Sequence, residues 1–122
     1  MKNWQDLKAF AEAEGFFVTS TTRGSHNRGS KHFLGLAIDV RTRDKTNEEI
    51  ERFLRKCAAL GVRVIDERKR PNGQKVWSGA HLHVEIGSGT MSQVLWFQKE
   101  NNLAADGIVG AKTLDALRLQ FG

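Results

Sequence analysis

Two short histidine-containing segments constrain this chain more strongly than any other feature. The first, residues 30–39, reads S-x-H-x-x-G-x-A-x-D and contains His32 and Asp39. The second is an H-x-H pattern, His81 and His83, inside an apolar run that is typical of a strand. Imidazole nitrogens and carboxylate oxygens are the ligands that Zn²⁺ takes when it keeps a water for catalysis. If the fold brings both segments together, the sequence predicts a zinc site with an open coordination position.

These motifs resemble those of the zinc peptidases that cut bacterial cell-wall peptides, the D-alanyl-D-alanine carboxypeptidases and L-alanyl-D-glutamate endopeptidases. That family shares a metal core with lysostaphin-type peptidases and the hedgehog domain. All five specified positions of the first motif match. The resemblance implies that His32, Asp39 and His83 bind Zn²⁺ and that His81 assists catalysis beside the metal-bound water. Two alternatives stay open: a closed, inert site made by all four residues, and a metal-free cluster satisfied within the core.

The general base is less clearly indicated than the ligands. Several relatives place a carboxylate three residues before the ligand histidine, but here Ala80 precedes His83 at that distance. The H-x-H branch of the family implies that His81 takes the proton instead. Asp66 and Glu67, on a neighbouring predicted strand, are the reserve candidates.

Three further residues are assigned supporting roles. Arg23 stands in a segment similar to the S-G-x-R of the family, which implies that it binds substrate and polarises the cleaved carbonyl. An ordinary solvated arginine is the alternative. Glu85, two residues past His83 and on the same face of a strand, is a candidate for orienting the ligands, as is Ser30 at the start of the first motif.

Composition limits the partners. The 122 residues suit one small domain, with or without an appended half-domain, and 39% hydrophobic residues predict a modest core. The net charge of +5 favours an anionic partner, but no basic stretch is interleaved with aromatic residues, so nucleic acid is not expected. No segment is apolar enough to insert in a membrane, and the amino-terminal residues lack the apolar core of a signal peptide. Cys57 falls on the apolar stripe of a predicted helix, so we expect it to be buried.

Hydrophobic periodicity predicts an α+β fold, with a small antiparallel sheet, helices packed on one face and the site on the other. Residues 21–33 are polar and glycine-rich and are expected to form a long loop. Helices are predicted from Asn3 to about Glu14, from a capping box at Thr46–Glu49 to Gly61, and at 91–101 and 112–121. Strands are predicted at 16–20, 36–40, 62–65, 75–77 and 81–86.

The last third of the chain carries a different set of sequence motifs from the rest. Phe97-Gln98, the D-G-I-V-G of residues 106–110 and the K-T-L of residues 112–114 resemble the second half of the peptidoglycan-binding helical repeat that accompanies many cell-wall hydrolases. Because only about half of that module is present, we expect residues 89–122 to pack on a peptidase domain of residues 1–88. A plain helical hairpin with a glycine-rich turn is the alternative.

Together, the motifs and the resemblance favour a monomeric zinc peptidase of peptidoglycan stem peptides, similar to a phage endolysin. Such a protein would be made in the host cytoplasm and would reach the periplasm or cell wall through a membrane lesion. A second hypothesis is a hedgehog-like module that binds zinc and cell-wall peptide without cutting it. A third is a basic nucleic-acid-binding protein with a structural zinc.

Overall fold

The computed structural model describes residues 1–21, 34–68 and 80–122. Within these ranges the chain forms four helices and four strands, and the α+β fold predicted from the sequence is confirmed. In chain order they are α1 (Trp4–Ala13), β1 (Val18–Ser20), β2 (Ala37–Arg41), α2 (Asn47–Ala59), β3 (Val62–Glu67), β4 (His81–Ile86), α3 (Thr90–Glu100) and α4 (Ala111–Phe121). All but the first residue of the predicted loop at 21–33 and the whole predicted strand at 75–77 lie outside the described residues.

The described strands form one antiparallel sheet in the order β1-β2-β4-β3. Successive side chains of a strand point to opposite faces. Ile38 and Val40 of β2 and Leu82 and Val84 of β4 are fully buried, on the face that α1 and α2 cover. The residues that alternate with them, including Asp39, therefore lie on the other face.

The start of each of the first two helices is set by a local hydrogen bond. The side chain of Asn3 accepts hydrogen bonds from the backbone amides of Gln5 and Asp6 at the start of α1. At the start of α2, Thr46 and Glu49 form the predicted capping box. Such caps satisfy amides that have no partner within the helix, and each contributes about 1 kcal/mol.

Strand β3 is longer than the sequence pattern predicts. The apolar run ends at Ile65, but the strand continues through Asp66 to Glu67. The extra residues stay in the sheet because β4 supplies pairing partners, Leu82 opposite Asp66 and His81 opposite Glu67. Backbone pairing across the ladder therefore outweighs the low strand propensity of two acidic residues.

The core lies between the sheet and the helices. The rings of Phe10 and Phe16 pack against that of Phe53, with ring centres 5.4 and 4.4 Å apart. Cys57 is fully buried as expected, and burial raises the pKa of its thiol. The same core cluster includes side chains of α3 and α4, namely Val94, Phe97 and Leu117.

A buried ion pair joins the last helix to the first two. Lys56 Nζ of α2 lies 2.5 Å from Glu14 Oε2 and donates a 3.0 Å hydrogen bond to the backbone oxygen of Gly122. Arg118 of α4 donates a 3.0 Å hydrogen bond to the backbone oxygen of Ala13. Because a buried charge is stable only when it is paired, these contacts favour one arrangement of α4 against α1 and α2.

Candidate metal centre

Asp39 and His83 are directly opposite each other on β2 and β4. Asp39 Oδ1 lies 3.2 Å from His83 Nδ1, and the two side chains are 18% and 14% exposed. Two atoms that bind one tetrahedral zinc at about 2.0–2.1 Å lie about 3.3 Å apart. The two atoms are within hydrogen-bond distance of each other, and their spacing and chemical nature also fit neighbouring ligands of a single zinc ion.

The other ring nitrogen of His83 faces a second carboxylate. Glu85 Oε1 lies 3.6 Å from His83 Nε2, which is longer than a hydrogen bond, and Glu85 is only 4% exposed. A ligand histidine commonly turns its second nitrogen toward a carboxylate, which fixes the orientation of the ring. Arg63 approaches Glu85 at 3.8 Å but is 69% exposed, so it stabilises this carboxylate little. The imidazole of His83 thus lies between Asp39 and Glu85.

His81 occupies the adjacent position on the same face of β4. It pairs with Arg41 of β2 and Glu67 of β3. His81 Nε2 lies 3.6 Å from Glu67 Oε2, which is longer than a hydrogen bond, and the His81 side chain is 13% exposed. The two histidines of the H-x-H motif therefore have different carboxylate neighbours, which favours different roles for them.

Asp66 is not brought to this face of the sheet. It pairs with Leu82, whose side chain is in the core, and lines a cavity of about 620 Å³ near the start of α2. Its carboxylate accepts hydrogen bonds of 2.9 and 2.6 Å from the Arg68 guanidinium, which lower the pKa of Asp66. Of the two reserve candidates for the general base, only Glu67 lies beside the H-x-H motif.

The small residues of the first motif have structural roles in the sheet. Gly35 has φ = +74°, a conformation that residues with a side chain rarely adopt, and its carbonyl accepts a 2.9 Å hydrogen bond from the Trp4 amide. Ala37 is fully buried opposite Glu85. These two positions connect the motif to α1 and bring Asp39 into register with His83.

Three predicted site residues, Ser30, His32 and Arg23, lie outside the described residues. Within the described ranges, no three His, Cys, Asp or Glu side chains form a group able to hold a metal ion. The structure therefore brings together Asp39 and His83, and the full three-ligand site stays a prediction.

Arg41 is a further charged residue of this face and belongs to neither histidine motif. It is two residues past Asp39 on β2 and pairs with His81, so it belongs to the same face of the sheet. The alternation of side chains along a strand, applied to Asp39, was sufficient to identify it.

In the last third of the chain, a buried amide shapes the loop between α3 and α4. Gln98 is 1% exposed, and its Nε2 donates to Asp106 Oδ1 at 3.0 Å and to the Ile108 carbonyl at 2.9 Å. Its Oε1 accepts a 3.0 Å hydrogen bond from the Gly107 amide, and Gly107 has φ = +75°. The D-G-I pattern thus encodes a tight loop around one glutamine side chain.

Residues 84–117, which extend from β4 into α4, match the model of the family described as "Putative peptidoglycan binding domain". The match supports the predicted peptidoglycan-binding repeat, although it begins five residues before the predicted boundary at 89. No model of a zinc peptidase family matches the chain. No curated protein and no solved structure matches it.

None of the described helices is both long and apolar enough to cross a bilayer.

Proposed function

We propose that this chain is a zinc peptidase that hydrolyses peptide bonds in the stem peptides or cross-links of bacterial peptidoglycan. One observation carries the proposal: His83 lies between Asp39, at a distance suited to a shared metal, and Glu85, which faces its second nitrogen. His32 is the proposed third ligand, from the motif that also supplies Asp39. The peptidoglycan-binding match at residues 84–117 supports the choice of substrate.

The roles of the described side chains follow from their positions. Zinc, when bound, would polarise the scissile carbonyl and make water a stronger nucleophile. Asp39 and His83 would hold it, while Glu85 keeps the His83 ring in place. His81, on the same face, would accept a proton from the attacking water and return it to the departing amine. Glu67, 3.6 Å from His81 Nε2, would stabilise the protonated imidazole between these two steps.

A lytic role in a phage life cycle belongs to the same proposal. The protein would then be made in the host cytoplasm and act on the wall as a monomer at lysis. The basic net charge of +5 suits attraction to an anionic envelope.

A non-catalytic module that binds zinc and cell-wall peptide is the second candidate. It is favoured by Ala80, which stands where several relatives of the resembled family have a carboxylate. Cleavage of peptide bonds distinguishes this candidate from the peptidase, because both would bind the wall.

Zinc content and wall digestion test the proposal together. Protein purified without chelator is expected to contain one zinc per chain by elemental analysis, and to lose it as the pH falls, because the ligands must be deprotonated. Purified cell walls should release peptides with new termini, identified by mass spectrometry, and a chelator should stop the release. Stoichiometric zinc and wall binding without new termini would support the binding module instead. Absence of stoichiometric metal would contradict both.

A paired substitution tests the assignment of Glu67. Glu67→Gln is expected to lower turnover roughly 10- to 100-fold, the size of effect that follows loss of a carboxylate behind a metal-binding histidine. Asp66→Asn is the matched control, since it alters the adjacent carboxylate on the opposite face and should leave turnover nearly unchanged. Initial rates of peptide release, compared at equal zinc content, provide the measurement. Equal losses of turnover in Glu67→Gln and Asp66→Asn would contradict the assignment of Glu67 as the carboxylate that acts through His81.

A further inference from the structure

Asp39, His81 and His83 share one face of the sheet, and the register of the strands arranges the residues of this face in rows. One row contains the proposed ligands, Asp39 of β2 and His83 of β4. The next row, two residues along each strand, contains Arg41 of β2 and His81 of β4, with Glu67 beyond them on β3. Residues two apart on a strand are separated by roughly 6.5–7 Å. Arg41 therefore stands on the same face as the proposed proton-transfer residue, in the row next to the proposed ligands.

Contacts with Asp44 and Phe17 hold Arg41 in place and leave some of its N–H donors without a partner among the described residues. Its Nη2 donates a 3.1 Å hydrogen bond to Asp44, and its guanidinium carbon lies 4.6 Å from the centre of the Phe17 ring. Within the described part of the chain, the buried Nε atom of Arg41 has no hydrogen-bond partner. The side chain is 29% exposed, so it can be reached from solvent. An arginine offers five N–H donors in a rigid fork, and the Nη donors that Asp44 does not take remain for a ligand.

Among the residues of this face that the structure describes, the surrounding charges make Arg41 the suitable position for an anion. Asp39, Glu67 and Glu85 place carboxylates on the same face, and these would repel a negatively charged group of a substrate. Arg63, at the far end of this face, is 69% exposed and lies near Glu85, so it is less fixed in position than Arg41. A cation already held by an aromatic ring and an acidic neighbour loses less conformational entropy when it binds a ligand.

We propose that Arg41 binds a free carboxylate of the substrate next to the cleaved bond, and so makes the site selective for stem peptides whose carboxylates are not amidated. The inference rests on the proposed function for its substrate class. Two carboxylates of a stem peptide have this chemistry, the internal one of the glutamyl residue and the one at the peptide terminus. A planar guanidinium suits either one through paired hydrogen bonds.

Binding can be measured separately from cleavage. The full chain, in the presence of a chelator, is titrated with three synthetic stem peptides and followed by NMR: one with both carboxylates free, one amidated at the glutamyl carboxylate and one amidated at the terminus. For the wild type, one of the two amidations is expected to raise Kd about 10-fold, the effect of losing one charge-assisted hydrogen-bonded contact. Arg41→Gln should bind all three peptides with nearly equal Kd. The amidation that affects the wild type identifies which carboxylate is bound.

Arg43→Gln is the matched control, because it removes the same charge from an exposed position two residues away. It should remain as sensitive to amidation as the wild type. The proposal is overturned if neither amidation changes the Kd of the wild type, if Arg41→Gln keeps the wild-type preference, or if no peptide binds. If Arg41 has a purely structural role, Arg41→Gln would raise the Kd of all three peptides by the same factor. That result would also overturn the proposal. Cleavage of the same peptides after zinc is restored tests the proposed function independently.

Discussion

Replacing His83 by alanine is expected to remove both the metal and the activity, whereas replacing His81 is expected to remove activity alone. His83 lies 3.2 Å from Asp39 Oδ1, the spacing of two ligands on one ion, and Glu85 faces its second nitrogen. His81 faces Glu67 on the neighbouring strand instead. Loss of a proton-transfer residue typically lowers turnover by about 10²- to 10⁴-fold, so this is the expected effect of His81→Ala.

The two variants serve as controls for each other, because they remove the same side chain from adjacent positions of one strand face. Elemental analysis should find stoichiometric zinc in His81→Ala and far less in His83→Ala, and mass spectrometry of released peptides should find almost no cleavage by either. Equal loss of zinc from both variants would contradict this division of roles and favour the closed four-ligand site. Full activity of His81→Ala would assign the proton transfer to another residue.

Deleting residues 89–122 is expected to leave a chain that is insoluble or markedly less stable. Val94, Phe97 and Leu117 of the deleted segment are at most 3% exposed and belong to the same core cluster as residues of α1 and α2. Burying each such side chain contributes about 1.5–3 kcal/mol, and a small domain is stable by only about 5–15 kcal/mol in total. The deletion also exposes the buried pair of Lys56 and Glu14, against which Gly122 and Arg118 pack.

A pair of single substitutions tests the same contact without a truncation. Leu117→Ala is expected to lower the free energy of unfolding by about 2–5 kcal/mol, because Leu117 is fully buried. Leu119→Ala, on the same helix but 91% exposed, should change it by less than about 0.5 kcal/mol. Thermal or denaturant unfolding provides the measurement.

A folded, active 1–88 fragment with weaker wall binding would instead show that the last third is an independent targeting module.

Local patterns were sufficient for the parts of this fold that depend on neighbours in sequence. The capping box at Thr46 and Glu49 forms as predicted, because its hydrogen bonds join residues three apart. The side-chain alternation of β4 puts His81 and His83 on one face, as period-two geometry requires. The D-G-I-V-G pattern indicated a peptidoglycan-binding repeat, and the family match supports that reading.

Other features depend on how distant segments pair, which no local pattern contains. Asp66 and Glu67 were equal candidates in the sequence, but pairing with β4 places only Glu67 beside His81, since adjacent residues of a strand point to opposite faces. Arg41 lies on the same face as Asp39 for the same reason, opposite His81 in the strand register.

By itself, the sequence determined the types of the described helices and strands, the two histidine motifs and the different sequence pattern of the last third. Those properties follow from residue preferences and spacings along a few turns or one strand. Only the tertiary structure decided that Asp39 lies 3.2 Å from His83 and that Leu117 completes the core. Both contacts depend on strand register and helix packing between residues far apart in the chain, where burial of the whole apolar surface selects one arrangement.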